Sequence, residues 1–299
     1  MASVPSLRHP LHPELPDGAP VPPPPRDRHR EARLGVPAWA PFAAALAALI
    51  GMTIVQFLVV AAIAGGGGDV DSLSTNDEFS IVMTAVFDLL LVGCSVALVW
   101  RLTGRPTPEK FALRPAPWLK ALGWIVGTYI VVSIASSLVA VLFGKPREQD
   151  LVTDLRGETA PLVLAAFALM TCVLAPLAEE FFFRGFLFRT LAERFGLVWG
   201  VAIAGAIFGL VHWPGGSLES VMVLAVLGAM LCLMAYYTSS LLPCIIMHAS
   251  FNSLAFGATK ELPWWGYVLV LVGSVMTTLA FSLLAMRLGR RTVPGLAPA

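Results

Sequence analysis

Charge is what this sequence has least of. Only 13% of its 299 residues are Asp, Glu, Lys or Arg, against roughly a quarter in a soluble domain, while 57% are hydrophobic. That balance excludes an ordinary soluble chain. Cysteine is also scarce: Cys94, Cys172, Cys232 and Cys244 sit in apolar stretches at unrelated spacings, with no CxxC pair. They read as small buried side chains and not as a disulfide scaffold or a zinc site. An internal repeat, a phosphate-binding glycine loop and a basic patch studded with aromatics are all missing, so solenoid, nucleotide and nucleic-acid readings have no support. Strict apolar-polar alternation is missing too, and with it a membrane β-barrel.

What is abundant is long apolar sequence. A bilayer core of about 30 Å takes about 20 helical residues to cross, and runs of that order recur after Pro37 at about 38–64, 79–101, 118–143, 160–188, 198–213, 218–238, 241–257 and 264–286. Backbone groups in lipid must bond within their own segment, so these runs are helices. The expectation is an all-α, polytopic membrane protein of about eight transmembrane helices. Its parts are three N-terminal helices in 38–143, a four-helix core in 160–257, a last helix at 264–286 and a short basic tail at 287–299. Residues 1–37 hold ten prolines, among them "PPPP" at 22–25, and five arginines; that composition cannot bury a core and predicts a disordered tail. No apolar segment with a cleavage site follows a short basic start, so the first span is expected to stay as an anchor.

The 20 Lys and Arg residues are unevenly spread. With both termini taken as cytoplasmic, the tail carries five, residues 101–120 five, residues 184–194 three and residues 287–291 three, whereas the other loops carry only Lys145, Arg147, Arg156 and Lys260. Sixteen against four predicts a cell (plasma) membrane protein with both termini cytoplasmic and an even number of spans. Trp39, Trp100, Trp118, Trp199, Trp213, Trp264 and Trp265 mark span ends, where aromatic belts lie.

Ionisable groups inside a bilayer cost several kcal/mol each unless paired or hydrated, so each is a candidate for function. They are Asp88, the set Glu179, Glu180 and Arg184, then His212, and His248 with Asn252. Side chains advance about 100° per residue around a helix, so Arg184 stands over Glu180 as an ion pair while Glu179 turns toward a different partner. Two adjacent carboxylates in different environments suit one structural and one proton-transferring role. "FGLVH" and "HASFN" likewise place Phe208 with His212 and His248 with Asn252. The midpoint of Glu179 and His212 falls between Phe195 and Gly196, a helix-ending signal, so the two should lie at one height in an antiparallel hairpin. A shared cavity opening toward the cytoplasmic side is expected.

Taken singly, these residues have plainer readings. Glu180 with Arg184 serves as well as a structural pair, His212 as a satisfied buried histidine, His248 with Asn252 as interhelical glue. Asp88 would find a hydroxyl, water or cation, and the phenylalanines of 181–188 would pack or face lipid. Their combination on three helices at heights that can meet is what points to a site.

"EEFFFR", "FGLVH" and "HASFN", in that order within hydrophobic helices, resemble the three motifs of the CAAX-prenyl-protease and bacteriocin-processing family of intramembrane peptidases, the group that includes the Ras-converting enzyme. The resemblance covers about residues 160–257. It implies an eight-helix fold and a glutamate-dependent endopeptidase with no metal and no other cofactor. On that resemblance Glu179 activates a water, His212 helps to position it, His248 and Asn252 bond the oxyanion, and Glu180 with Arg184 supports the first glutamate. The partners it implies are a peptide or protein at the membrane, lipidated in some relatives, and the bilayer, with no nucleic acid. Two alternatives stand beside it: a zinc protease using Glu179, His212 and His248 as ligands, and a non-catalytic adaptor or immunity protein.

Overall fold

The computed structural model describes residues 33–71, 73, 77–144 and 150–291. The expected tail therefore lies outside the described residues up to position 32, as do residues 292–299. The described chain is helical and, among the described residues, has no strand. In order the helices are α1 (Ala40–Gly65), α2 (Asp77–Thr103), α3 (Trp118–Phe143), the short α4 (Asp150–Gly157), α5 (Pro161–Phe195), α6 (Leu197–Leu210), α7 (Leu218–Thr238), α8 (Leu242–Thr259) and α9 (Trp264–Arg291).

Helices occupy all eight stretches read from hydropathy, but six of them, α1, α2, α3, α5, α7 and α9, are long and apolar enough to cross a membrane. The chain is thus a multi-pass membrane protein. The two others differ for separate reasons. α6 has 14 residues, about 21 Å of helix; it stops at Leu210 because the following turn holds Pro214, which has no N–H to give a continuing helix. α8 carries His248, Asn252 and three serines or threonines among its 18 residues, which lowers its hydropathy, and it is shielded instead by its neighbours: ten of its residues are buried. The last helix also runs further than the sequence suggested, to Arg291.

Contacts define two ends. At one, Leu34 donates its N–H to Glu193 Oε1 (2.8 Å), Leu241 donates to Ala112 O (2.9 Å), and Ser240 donates to Arg114 O (2.6 Å). This end gathers the basic segments of residues 101–120, 189–194 and 287–291. At the other, Lys260 caps the last turn of α4 by donating to the carbonyls of Leu155, Arg156 and Glu158 (3.2, 3.3 and 2.7 Å).

Small residues set the closest helix crossing. Gly205 and Gly209 of α6 lie against Ala225 and Ala229 of α7, and a Cβ on Gly228 would sit 2.9 Å from Phe208 Cβ and 3.0 Å from Gly205 O. Without a hydrophobic drive between helices in lipid, such backbone approach is what supplies packing energy. α5 and α6 are joined by the single residue Gly196, whose φ of 82° is the left-handed region that glycine enters without steric cost.

α5 is not a uniform α-helix. Residues Met170–Leu174 and Phe181–Phe188 form wider, five-residue-bonded turns, a feature often found at functional sites. The phenylalanines of the second turn pack inward: Phe182, Phe183, Phe186 and Phe188 belong to the main core. They are core residues and do not face lipid.

Candidate active site

Glu180 and Arg184 form the expected pair across one turn of α5, Nη1 to Oε1 at 2.6 Å, with both side chains fully buried. Arg184 also donates Nη2 to the Gly228 carbonyl (3.2 Å), which is reachable because residue 228 has no side chain in the crossing. Its guanidinium lies 4.3 Å from the centre of the Phe208 ring, a cation-π contact in a dry setting. A buried charge needs this much support.

The same carboxylate oxygen has a second donor. His248 Nδ1 lies 2.8 Å from Glu180 Oε1, and since a carboxylate accepts, Nδ1 carries the proton. The other ring nitrogen, Nε2, then points to Glu179 Oε2 at 3.9 Å. Glu180 therefore bonds His248 directly, a link additional to the support of Glu179 that the resemblance implied. Sequence reading missed this link because Glu180 and His248 are 68 residues apart and no periodicity connects α5 to α8.

His212 sits just beyond the end of α6. Its backbone N–H bonds Gly209 O, which leaves the Phe208 carbonyl free to accept from His212 Nδ1 at 2.7 Å. A carbonyl only accepts, so Nδ1 is protonated and Nε2 of the neutral ring presents a lone pair. The four-residue spacing of "FGLVH" was legible; that it works through a backbone carbonyl at a helix end was not.

Asn252 is placed by a break in α5. In the wide turn Ala175 donates to Met170 O, five residues back, and Pro176 has no N–H, so Thr171 O lacks a donor from its own helix. Asn252 Nδ2 supplies one at 2.8 Å, leaving its second N–H unassigned. Pro176, five residues after Thr171, was the available sequence signal.

Glu179, His212, His248 and Asn252 line one cavity of about 500 Å³. Glu180 and Arg184 stand behind it, fully buried. Glu179 is 21% exposed, and its inner oxygen Oε2 has no hydrogen-bond partner among the described residues. Asp88 is buried on α2, which packs against the Glu179 turn, and its Oδ2 likewise has no partner among the described residues. Of the hydroxyl, water or cation expected beside it, no hydroxyl or cation bonds this oxygen among the described residues.

The cavity is lined at one end of the helices. Ser80 lies near the start of α2, Ser136 near the end of α3, Asp154 on α4, Ser220 in the first turn of α7, and Thr259 closes α8. All are at the end opposite the basic segments. An opening toward the basic segments was expected; the lining lies toward the other end of the helices. His248 lies only seven residues past Leu241, which suggested an entry there. However, Leu241 packs beside Gly185 of α5 (a Cβ there would be 3.1 Å away), ten residues before Phe195. The 239–241 turn thus packs against residues 112–114 of the basic end, with Ser240 and Leu241 buried there.

The zinc alternative requires Glu179, His212 and His248 to converge on one point. Among the described residues no three His, Cys, Asp or Glu side chains are placed to hold one metal ion. The residues do not fit that reading.

Compared with known protein families, residues 161–254 match the family described as Type II CAAX prenyl endopeptidase Rce1-like. Those residues run from the start of α5 to Leu254 in α8 and contain every candidate residue above except Asp88. No curated protein and no solved structure matches.

Proposed function

From the premise of a multi-pass membrane protein whose residues 161–254 match Rce1-like type II CAAX prenyl endopeptidases, we propose that the chain is an intramembrane endopeptidase. It hydrolyses a peptide bond of a membrane-associated or lipidated substrate with a glutamate-activated water. The observation that carries this is the pair of glutamates: Glu179 at the cavity wall with an unpartnered oxygen, and Glu180 behind it holding His248.

The chemistry follows from these placements. A water between Glu179 and His212 Nε2 gives a proton to the Glu179 carboxylate as its oxygen bonds the carbonyl carbon. The carbonyl π pair moves onto oxygen. His248 Nε2–H and the second Asn252 N–H bond that oxyanion, each such donor being worth about 3–4 kcal/mol in the transition state. With Nδ1–H given to Glu180, an Nε2–H makes His248 an imidazolium, and the two glutamates flanking it balance its charge. When the intermediate collapses, the C–N bond breaks and Glu179 returns its proton to the leaving amine. A general base of this kind contributes about 10²- to 10⁴-fold in rate.

The test compares peptide termini in membranes of cells carrying wild type or Glu179→Gln at equal protein levels. Termini that vanish in the variant are the expected result. Identical termini from abundant, folded protein would overturn the assignment and favour the adaptor or immunity role.

A further inference from the structure

Which face of the membrane does the cavity serve? Two independent features answer together. The first is the lining: Ser80, Ser136, Asp154, His212, Ser220 and Thr259 all lie at the end away from the basic segments. From His248 to Thr259, eleven residues along α8, the cavity wall rises about 16 Å toward that end. In the other direction the floor is packed: Arg184, Phe186, Phe208 and Met247 are at most 1% exposed. The second is the spread of Lys and Arg along the sequence: fifteen in residues 1–37, 101–120, 189–194 and 287–291, against Lys145, Arg147, Arg156 and Lys260 in the other loops. Loops rich in Lys and Arg stay cytoplasmic.

We infer that the cavity opens on the extracytoplasmic face, so its substrate is a peptide segment presented from the outer side of the membrane, not the C-terminus of a cytosolic protein. This rests on the proposed peptidase for its substrate, while the direction of opening stands on geometry and charge alone. The mouth suits entry from water, being lined by hydroxyl side chains of Ser80, Thr84, Ser136 and Thr259. The floor beside Glu179 suits the buried, apolar part of a membrane-anchored segment, being formed by Phe208 and Leu227. The reaction that supplies such a substrate is export or insertion of the segment into the outer half of the bilayer.

The test uses the full chain with Cys94→Ser, since the other three cysteines are buried, and adds one of three exposed single cysteines. Ser80→Cys and Ala255→Cys lie on the cavity wall, and Arg105→Cys lies on the basic segment between α2 and α3. Intact cells are treated with a membrane-impermeant maleimide, then compared with permeabilised cells. Labelling of both cavity positions in intact cells, with Arg105→Cys labelled only after permeabilisation, is the expected result; any other pattern overturns the inference. Because labelling needs no proteolysis, its failure is separate from failure of the peptidase assignment. Should the labelling pattern hold but the Glu179-dependent termini all come from cytosolic segments, the substrate half would be overturned alone.

Discussion

Glu180 Oε1 takes hydrogen bonds from both Arg184 and His248, so one atom joins the stability of the fold to the orientation of the site. The two roles separate by mutation. Glu180→Gln leaves Arg184 buried without its counter-charge, and breaking such a pair costs about 3–5 kcal/mol. The expected outcome is a large fall in thermal unfolding temperature in detergent, with Glu179→Gln close to wild type because Glu179 makes no comparable buried bond. Glu180→Leu combined with Arg184→Met removes both charges, and apolar replacement of a buried pair is often neutral. This double variant is expected to recover most of the stability while remaining inactive, since His248 has lost the carboxylate that fixes its ring. Activity in the stable double variant would show that Glu180 only balances Arg184.

The elements hold these residues by close approach and by local departures from helical regularity. At the α6–α7 crossing the Gly228 carbonyl reaches Arg184 because nothing projects from residue 228. Gly228→Leu must push the helices apart, and overpacking of this kind costs about 1–3 kcal/mol; a lower unfolding temperature and lost cleavage are expected, with Gly228→Ala intermediate. Unchanged unfolding of Gly228→Leu would mean the helices are not so close. The helical stretches, the Gly196 turn and the Glu180–Arg184 pair were legible because hydropathy, a helix-ending glycine and i,i+4 spacing are all local properties. The wide turns of α5, the His248–Glu180 bond and the depth of the 239–241 turn were not, because each depends on how separate helices pack. α8 shows the boundary between the two kinds: its motif was readable from "HASFN", while its modest hydropathy makes sense only once its neighbours cover it.

Across the whole molecule, charge is spent in two ways. Lys and Arg gather toward one end of the helices, and the ionisable groups inside are few: Asp88, Glu179 and Glu180 with Arg184, His212 and His248. Donor geometry brings no three ligands to one point among the described residues, and the proposed reaction uses proton transfer through Glu179. Protein purified from membranes and treated at length with a strong chelator is therefore expected to keep its Glu179-dependent cleavage within about twofold, less than 0.5 kcal/mol of barrier by the relation of about 1.4 kcal/mol per tenfold. A tenfold loss that added zinc restores would make Glu179 a metal ligand and not the base. The same measurement on His212→Gln separates the cases again, since a ligand change would alter the zinc dependence, whereas loss of a water-positioning lone pair would lower turnover at every metal concentration.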